Sequence, residues 1–150
     1  MSFENVELMR ELTEGFLELG EGSLDAWLRD LASVLDPDVE WDASELPVPD
    51  IGGVYRGRDA VVKWWREWLE AWETVTFDYH LVDGGDRVIL LLDQRMKGRY
   101  TGIELAVGKY AQLVTFAEGR IVHWRFYAHQ SEALKAAEVE GGSPLDAESP

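Results

Sequence analysis

Cysteine is absent from this chain of 150 residues, so disulfides, thiolate nucleophiles and cysteine metal ligands are excluded. Basic residues are scarce: 14 Lys and Arg stand against 29 Asp and Glu, a formal charge of −15. That balance opposes phosphate backbones and anionic headgroups, and argues against nucleic-acid and membrane partners. Much of the acid, as in "ENVELMRELTEGFLEL", is spread through the chain and reads as solvated surface. No run approaches the roughly 18 apolar residues of a membrane span. The opening "MSFENVELMREL" has no basic segment leading into an apolar one, so the expected location is cytoplasmic. Proline is limited to 5 residues, and Pro37, Pro47 and Pro49 act as local punctuation. What is plentiful is apolar and aromatic. The chain is 46% hydrophobic with 7 tryptophans, and four of them, Trp64, Trp65, Trp68 and Trp72, crowd into "WWREWLEAW". One domain of this length buries roughly two-thirds of its unfolded surface.

Periodicity predicts three helices first. Met9, Leu12, Phe16 and Leu19 recur at helical spacing from about residue 3 to 19, before Gly20 and Gly22. Ser23 offers a cap for a second stripe of Leu24, Trp27, Leu28, Leu31 and Leu35, and Pro37 stops it. "VEWDA" alternates as a short strand with Val39, Trp41 and Ala43 on one face and Glu40 and Asp42 on the other. "SELPVPDIGGVYRG" reads as a loop, and a third helix starts near Arg58. Its Val61, Trp64, Trp65, Trp68, Leu69 and Trp72 cover one wide arc opposite Lys63, Arg66, Glu67 and Glu70.

The remainder reads as an antiparallel meander: "TVTFDYHLV", "RVILLLDQRMKGRY", "IELAVGKYAQLVTF" and "GRIVHWRFYAHQ", with turns at "DGGD" and "AEG". Val88, Leu90, Leu92, Gln94 and Met96 should share a face, as should Tyr110, Gln112, Val114 and Phe116 on the next strand. On the last, Val122, Trp124, Phe126 and Ala128 oppose Ile121, His123, Arg125, Tyr127 and His129. Bulky residues on both faces favour a homodimer through the outer one. "SEALKAA" forms a short closing helix. The expected organisation is one domain over residues 1–137, then a disordered acidic tail over 138–150. Helices first and strands later give an α+β class, with three N-terminal helices wrapped by a curved antiparallel sheet.

The run "LDPDVEWDASELPVPDIGGVYRGRDAVVKWWREWLEAW", then "GDRVILLLDQR", then "VTFAEGRIVHWRFYAHQSEALKAA", resembles the SnoaL-like group of the nuclear transport factor 2-like superfamily. "YRGRDAV" and the ending "EGRIV…SEAL" carry the resemblance most specifically. It implies a cone-shaped fold enclosing a pocket, often as a dimer, in a group that includes polyketide cyclases and ketosteroid isomerase. The isomerase's base aligns with Trp41, or with Asp42 after a one-residue slip; its oxyanion donors align with Phe16 and Gln112. The acid of the cyclases aligns with Phe126.

Asp42 and Gln112 are therefore the candidate catalytic residues, Asp42 as base and Gln112 as a donor to a carbonyl or hydroxyl. The alternation of the first strand sends Asp42 toward solvent; Gln94 offers the same hydrogen bonding as Gln112 in an apolar pocket, and a satisfied core amide is the ordinary reading of both. Phe16, Trp27, Trp41, Tyr55, Trp64, Trp68, Leu90, Tyr110, Trp124 and Phe126 are expected to line the pocket, although core packing alone accounts for such stripes. His123 and His129 lie roughly 20 Å apart along a strand, too far to share a metal. Asp78 and His80 form a pair without a nucleophile, and "DIGGVYRG" fits no phosphate loop. No metal or cofactor is expected. The reading is a small-molecule-binding protein with a tryptophan-lined pocket for a hydrophobic, cyclic ligand. Isomerase-, cyclase- or hydratase-like proton transfer is the chemistry if it is an enzyme. The alternative is a non-catalytic dimeric interaction module with a filled cone.

Overall fold

A computed structural model describes residues 2–19, 23–46 and 52–137. Helix α1 spans Ser2–Leu17 and α2 Leu24–Val34; strand β1 runs Leu35–Asp42 and β2 Val54–Arg56. Helix α3 is Arg58–Ala71, followed by β3 Trp72–Asp83, β4 Arg87–Gly98, β5 Glu104–Ala117, β6 Arg120–Tyr127 and α4 Gln130–Ala136. The six strands form one sheet in the order β2-β1-β6-β5-β4-β3. The meander β3–β6 is antiparallel as expected. The sheet as a whole is mixed, because β1 joins β6 in parallel.

The helices bury the faces that their spacing dictates. Trp27, Leu28 and Leu31 of α2, and Val61, Trp64, Trp65 and Trp68 of α3, meet the inner sheet face in one core. That sheet face supplies Trp41, Val88, Leu90, Leu92, Met96, Tyr110, Val114, Trp124 and Phe126. The result is an α+β cone, helices inside a curved sheet. Among the described residues, no helix is long and apolar enough to cross a membrane.

Four local expectations need adjustment. Helix α2 ends at Val34, not at Pro37, and Pro37 lies within β1. The β1–β6 ladder is interrupted between Leu35 and Glu40, so no ladder hydrogen bond is required of the proline. Residues 54–56, read as loop, pair with β1 as a short edge strand. Trp72 leaves α3 to begin β3 and is half-buried, whereas Trp64, Trp65 and Trp68 are buried. Ile121 joins the inner core instead of the outer face, because a bulge pairs it with Phe116 and shifts the phase of β6 by one residue. The segments 20–22 and 47–51 and the tail at 138–150 lie outside the described residues.

The "YRGRDAV" motif has a structural role. Gly57, at φ 91°, donates its N–H to the Val39 carbonyl at 2.8 Å, and Arg58 clamps the Leu35 carbonyl at 2.7 and 3.2 Å. A side chain at that φ is strained, so glycine suits the turn into α3. Together these contacts fix the start of the tryptophan helix against β1.

The outer sheet face is also covered. Val82, Ile89, Leu91, Ala111, Leu113 and Tyr127 pack with Ala133 of α4 and Ala137 just after it in a second core. Gln130 anchors α4 by donating to the carbonyls of Leu92 and Tyr110, both at 3.2 Å.

Candidate functional site

Within the cone lies a cavity of about 50 Å³. Met9, Leu12, Thr13 and Phe16 of α1, Trp27 of α2, Leu46, and Trp64, Trp65 and Trp68 of α3 form its helical side. Phe77, Leu90, Leu92, Gln94, Tyr110, Gln112, Trp124 and Phe126 form the sheet side. Trp64 and Trp68, one helical turn apart, stack at 5.9 Å with an interplanar angle of 8°, and Trp65 stands edge-on to both. Offset and edge-to-face geometry suits aromatic quadrupoles.

Among the residues named for this wall there is no carboxylate, imidazole, ammonium or guanidinium. Its polar side chains are Thr13, Gln94, Tyr110 and Gln112, besides the indoles. Gln94 and Gln112 are only 2% and 6% exposed. They belong to one chain of hydrogen bonds: Trp124 Nε1 donates to Gln112 Oε1 at 3.0 Å, Gln112 Nε2 to the Tyr110 hydroxyl at 3.3 Å, and that hydroxyl to Gln94 Oε1 at 2.6 Å. Burial pushes the Tyr110 hydroxyl above the ordinary tyrosine range, and the Gln112 hydrogen bond offsets only part of that rise. Tyr110 is thus a neutral hydrogen-bonding group, not a ready acid.

An open groove of about 670 Å³ adjoins the cavity at the end of α1. Leu17, Leu19, Leu24, Leu69, Trp72, Val75, Arg99 and Tyr100 are among its walls. Phe16 lines both spaces, so its ring is the partition between them. It rests against Trp27 and Trp65 at 5.4 Å each and stacks on Phe77 at 5.8 Å.

Eight of the ten residues expected at the pocket line this cavity: Phe16, Trp27, Trp64, Trp68, Leu90, Tyr110, Trp124 and Phe126. Trp41 faces inward but stands behind the wall, fully buried against Trp64, Trp124 and Phe126. Tyr55, opposite Trp41 on the edge strand β2, is half-buried and donates to the Gly52 carbonyl at 3.4 Å. Gln112 lines the cavity. Asp42 does not, since it follows Trp41 and projects from the opposite face of β1. Partial burial raises its pKa, but the Ser44 hydroxyl and N–H and the Arg125 guanidinium together hold it below the ordinary value. A carboxylate so placed reaches no proton inside the cone.

On that outer face Glu40 pairs with Arg56 at 2.7 Å and His123 at 3.1 Å, and Arg125 pairs with Glu45 at 3.2 Å. His129 precedes α4, where its carbonyl accepts from the Glu132 N–H at 3.1 Å. Among the described residues no group of three or more His, Asp or Glu is placed to hold a metal ion. The residues that sequence reasoning left out of the wall include Trp65 and Phe77; Gln94, which the sequence offered beside Gln112, lines it too. Trp65 lies on the predicted inward arc, and Gln94 on the predicted inward face of β4.

The fold has solved relatives. An NTF2-like protein of unknown function from Burkholderia pseudomallei is 22% identical, with a TM-score of 0.68 over 88% of this chain and 95% of that one. TerC, co-crystallized with polyporic acid, is 17% identical, with a TM-score of 0.66 over 90% and 98%. An NTF2-like protein from Burkholderia thailandensis is 25% identical, with a TM-score of 0.60 over 77% and 88%. No curated protein matches the sequence. The family model of the SnoaL-like domain matches residues 14–124, from the last turns of α1 into β6, and the chain belongs to that family within the nuclear transport factor 2-like superfamily.

Proposed function

We propose that this protein binds a small, uncharged, hydrophobic ring compound inside the aromatic cone, without itself supplying acid–base catalysis. The observation that carries the reading is the wall: aromatic and aliphatic, free of ionic side chains among the described residues, and crossed by one buried hydrogen-bonded chain. Such a surface gives shape and orientation to an apolar guest. Among the described residues it offers no carboxylate or imidazole to move a proton. That TerC was co-crystallized with a small organic molecule agrees with a ligand-binding use of the cone.

The enclosed volume of about 50 Å³ is well below the roughly 300 Å³ at which ligand pockets begin. In this reading Phe16 swings toward the groove on entry, merging the two spaces. The alternative, a cone filled by its own tryptophans and used for interactions, draws its support from the same small volume. Tryptophan fluorescence titrated with cyclic ketones, phenols and terpenes separates the two. Saturable quenching by one class supports the binding reading, and an unresponsive spectrum across the panel sinks it.

The homodimer expected through the outer face belongs to this proposal with a narrower footing. The outer apolar residues pack against Ala133 of α4 and Ala137, and Glu40, Glu45 and Arg125 are paired within the chain. A monomer mass by light scattering removes it.

A further inference from the structure

We infer that Gln94, with the indoles of Trp65 and Trp68, forms a donor-only subsite that selects a neutral ring compound bearing a carbonyl-type acceptor oxygen. The inference rests on the reading of the cone as a ligand cavity and adds the ligand's chemistry.

The argument begins at Trp124. An indole N–H donates and never accepts. Its contact with Gln112 therefore fixes that amide with oxygen toward Trp124 and NH₂ toward Tyr110. Having accepted there, the Tyr110 hydroxyl gives its own proton to Gln94 Oε1. Turning the Gln94 amide over would aim a second N–H at a hydroxyl already accepting from Gln112, and leave the hydroxyl proton without an acceptor. One indole thus sets the polarity of the whole chain, and Gln112 is committed within it.

The chain ends on the Gln94 NH₂. Its protein partner is Met96 Sδ at 3.3 Å, a thioether that accepts only weakly. Gln94 stands where the β4–β5 ladder bulges, directly across from Gly108, so no side chain opposes it over the strand pair. Trp65 and Trp68 line the same cavity, are 7% and 4% exposed, and have indole N–H groups with no acceptor among the described residues. The Thr13 hydroxyl is turned to the Met9 carbonyl at 2.7 Å. What the wall leaves unanswered is therefore N–H. A guest with an acceptor oxygen answers it, a guest with only a donor does not, and an anion would bear a desolvation cost with no cation to meet it.

Isothermal titration with three bicycles of nearly equal size tests this: 1-indanone (acceptor), indane (neither) and indole (donor). The wild-type protein is expected to bind 1-indanone about tenfold more tightly than indane, the scale of one hydrogen bond in a dry site, and indole no better than indane. Gln94→Leu should bring 1-indanone down to indane. Trp68→Phe, which keeps a ring and removes one donor, should narrow the preference, and serves if Gln94→Leu does not fold. Equal binding of all three by the wild type, or a preference for indole, overturns the inference and leaves the cavity reading standing. Binding of none overturns the cavity reading itself, because a cone that admits its natural ring compound must admit a fragment of one.

Discussion

Phe16→Ala removes the partition between cavity and groove, and its two consequences pull in opposite directions. Truncating a buried phenylalanine costs about 3–5 kcal/mol. Phe16 is 8% exposed and borders the open groove, so neighbouring groups and solvent can fill part of the gap. Against that, it loses ring contacts with Trp27, Trp65, Trp68 and Phe77, each worth about 0.5–1.5 kcal/mol beyond area. A loss of about 3 kcal/mol is expected, or roughly 6–12 °C in melting temperature for a chain of this size. The same change enlarges a space of about 50 Å³. Adding the ring's volume, on the order of 100 Å³, brings it to the size at which engineered apolar cavities accept benzene. The variant should therefore bind indane at least tenfold more tightly than the wild type, since the displacement that entry requires has been made in advance. At a hundred times Kd, bound indane should restore about 2.7 kcal/mol, nearly the whole deficit. Thermal unfolding with and without indane measures both effects. A variant within about 0.5 kcal/mol of wild type, or one with unchanged indane affinity, would show that Phe16 does not separate the two spaces.

Two further predictions concern groups outside the cavity. Asp42→Asn should leave ring-compound affinity unchanged and cost below about 1 kcal/mol, as befits a partly solvated ion pair. Because the folded-state pKa of Asp42 is depressed, its contribution is present above about pH 4 and is lost as the pH falls through the folded value, so the stability difference between the two proteins should shrink as the pH is lowered below about 4. A tenfold loss of binding would return Asp42 to the site. Tyr79 donates to Glu14, and its pKa is pushed up to about 12 by burial and by that carboxylate. The unfolded chain releases this proton near pH 10 while the folded one holds it, so stability should fall as pH rises from about 10 to 12. Tyr79→Phe should flatten that limb in urea unfolding; parallel slopes would show that Tyr79 is not its source.

The directions in which strand residues point were legible because alternation is a local property. Val39 and Trp41 on β1 with Ala43 just after it, and Val88, Leu90, Leu92, Gln94 and Met96 on β4, all face the core or the cavity as their period of two requires. The phase failed at the bulge between β5 and β6. Beyond it Ile121 turned inward, and nothing in "AEGRIV" marks the skipped residue. Partnership was less legible still. That β1 pairs with β6, and in parallel, follows from closing the sheet around three helices; no residue in either strand encodes it alone. The cover provided by α4 could be weighed only once Ala133 and Ala137 were seen against Leu91 and Leu113. Apolar residues on both faces of a strand require a cover but do not say whose.

The cavity divides along the same line. Alternation and the α3 arc place tryptophans inward, yet the space they leave is a small difference between the volume the sheet encloses and the volume the rings fill. No pattern of letters fixes such a difference, and a small shift of α3 would change it severalfold. The polarity of the wall depends on diagonal contacts. Gln112 lies opposite Phe126 and Trp124 opposite Val114, so the Gln112–Trp124 bond spans two residues along the ladder, as does the bond between Tyr110 and Gln94. Those diagonals exist only in the register the bulges allow. The chemistry itself, a donor-only indole beside an amide, is elementary. Once the register brings them together, the direction of every hydrogen bond from Trp124 to Gln94 follows.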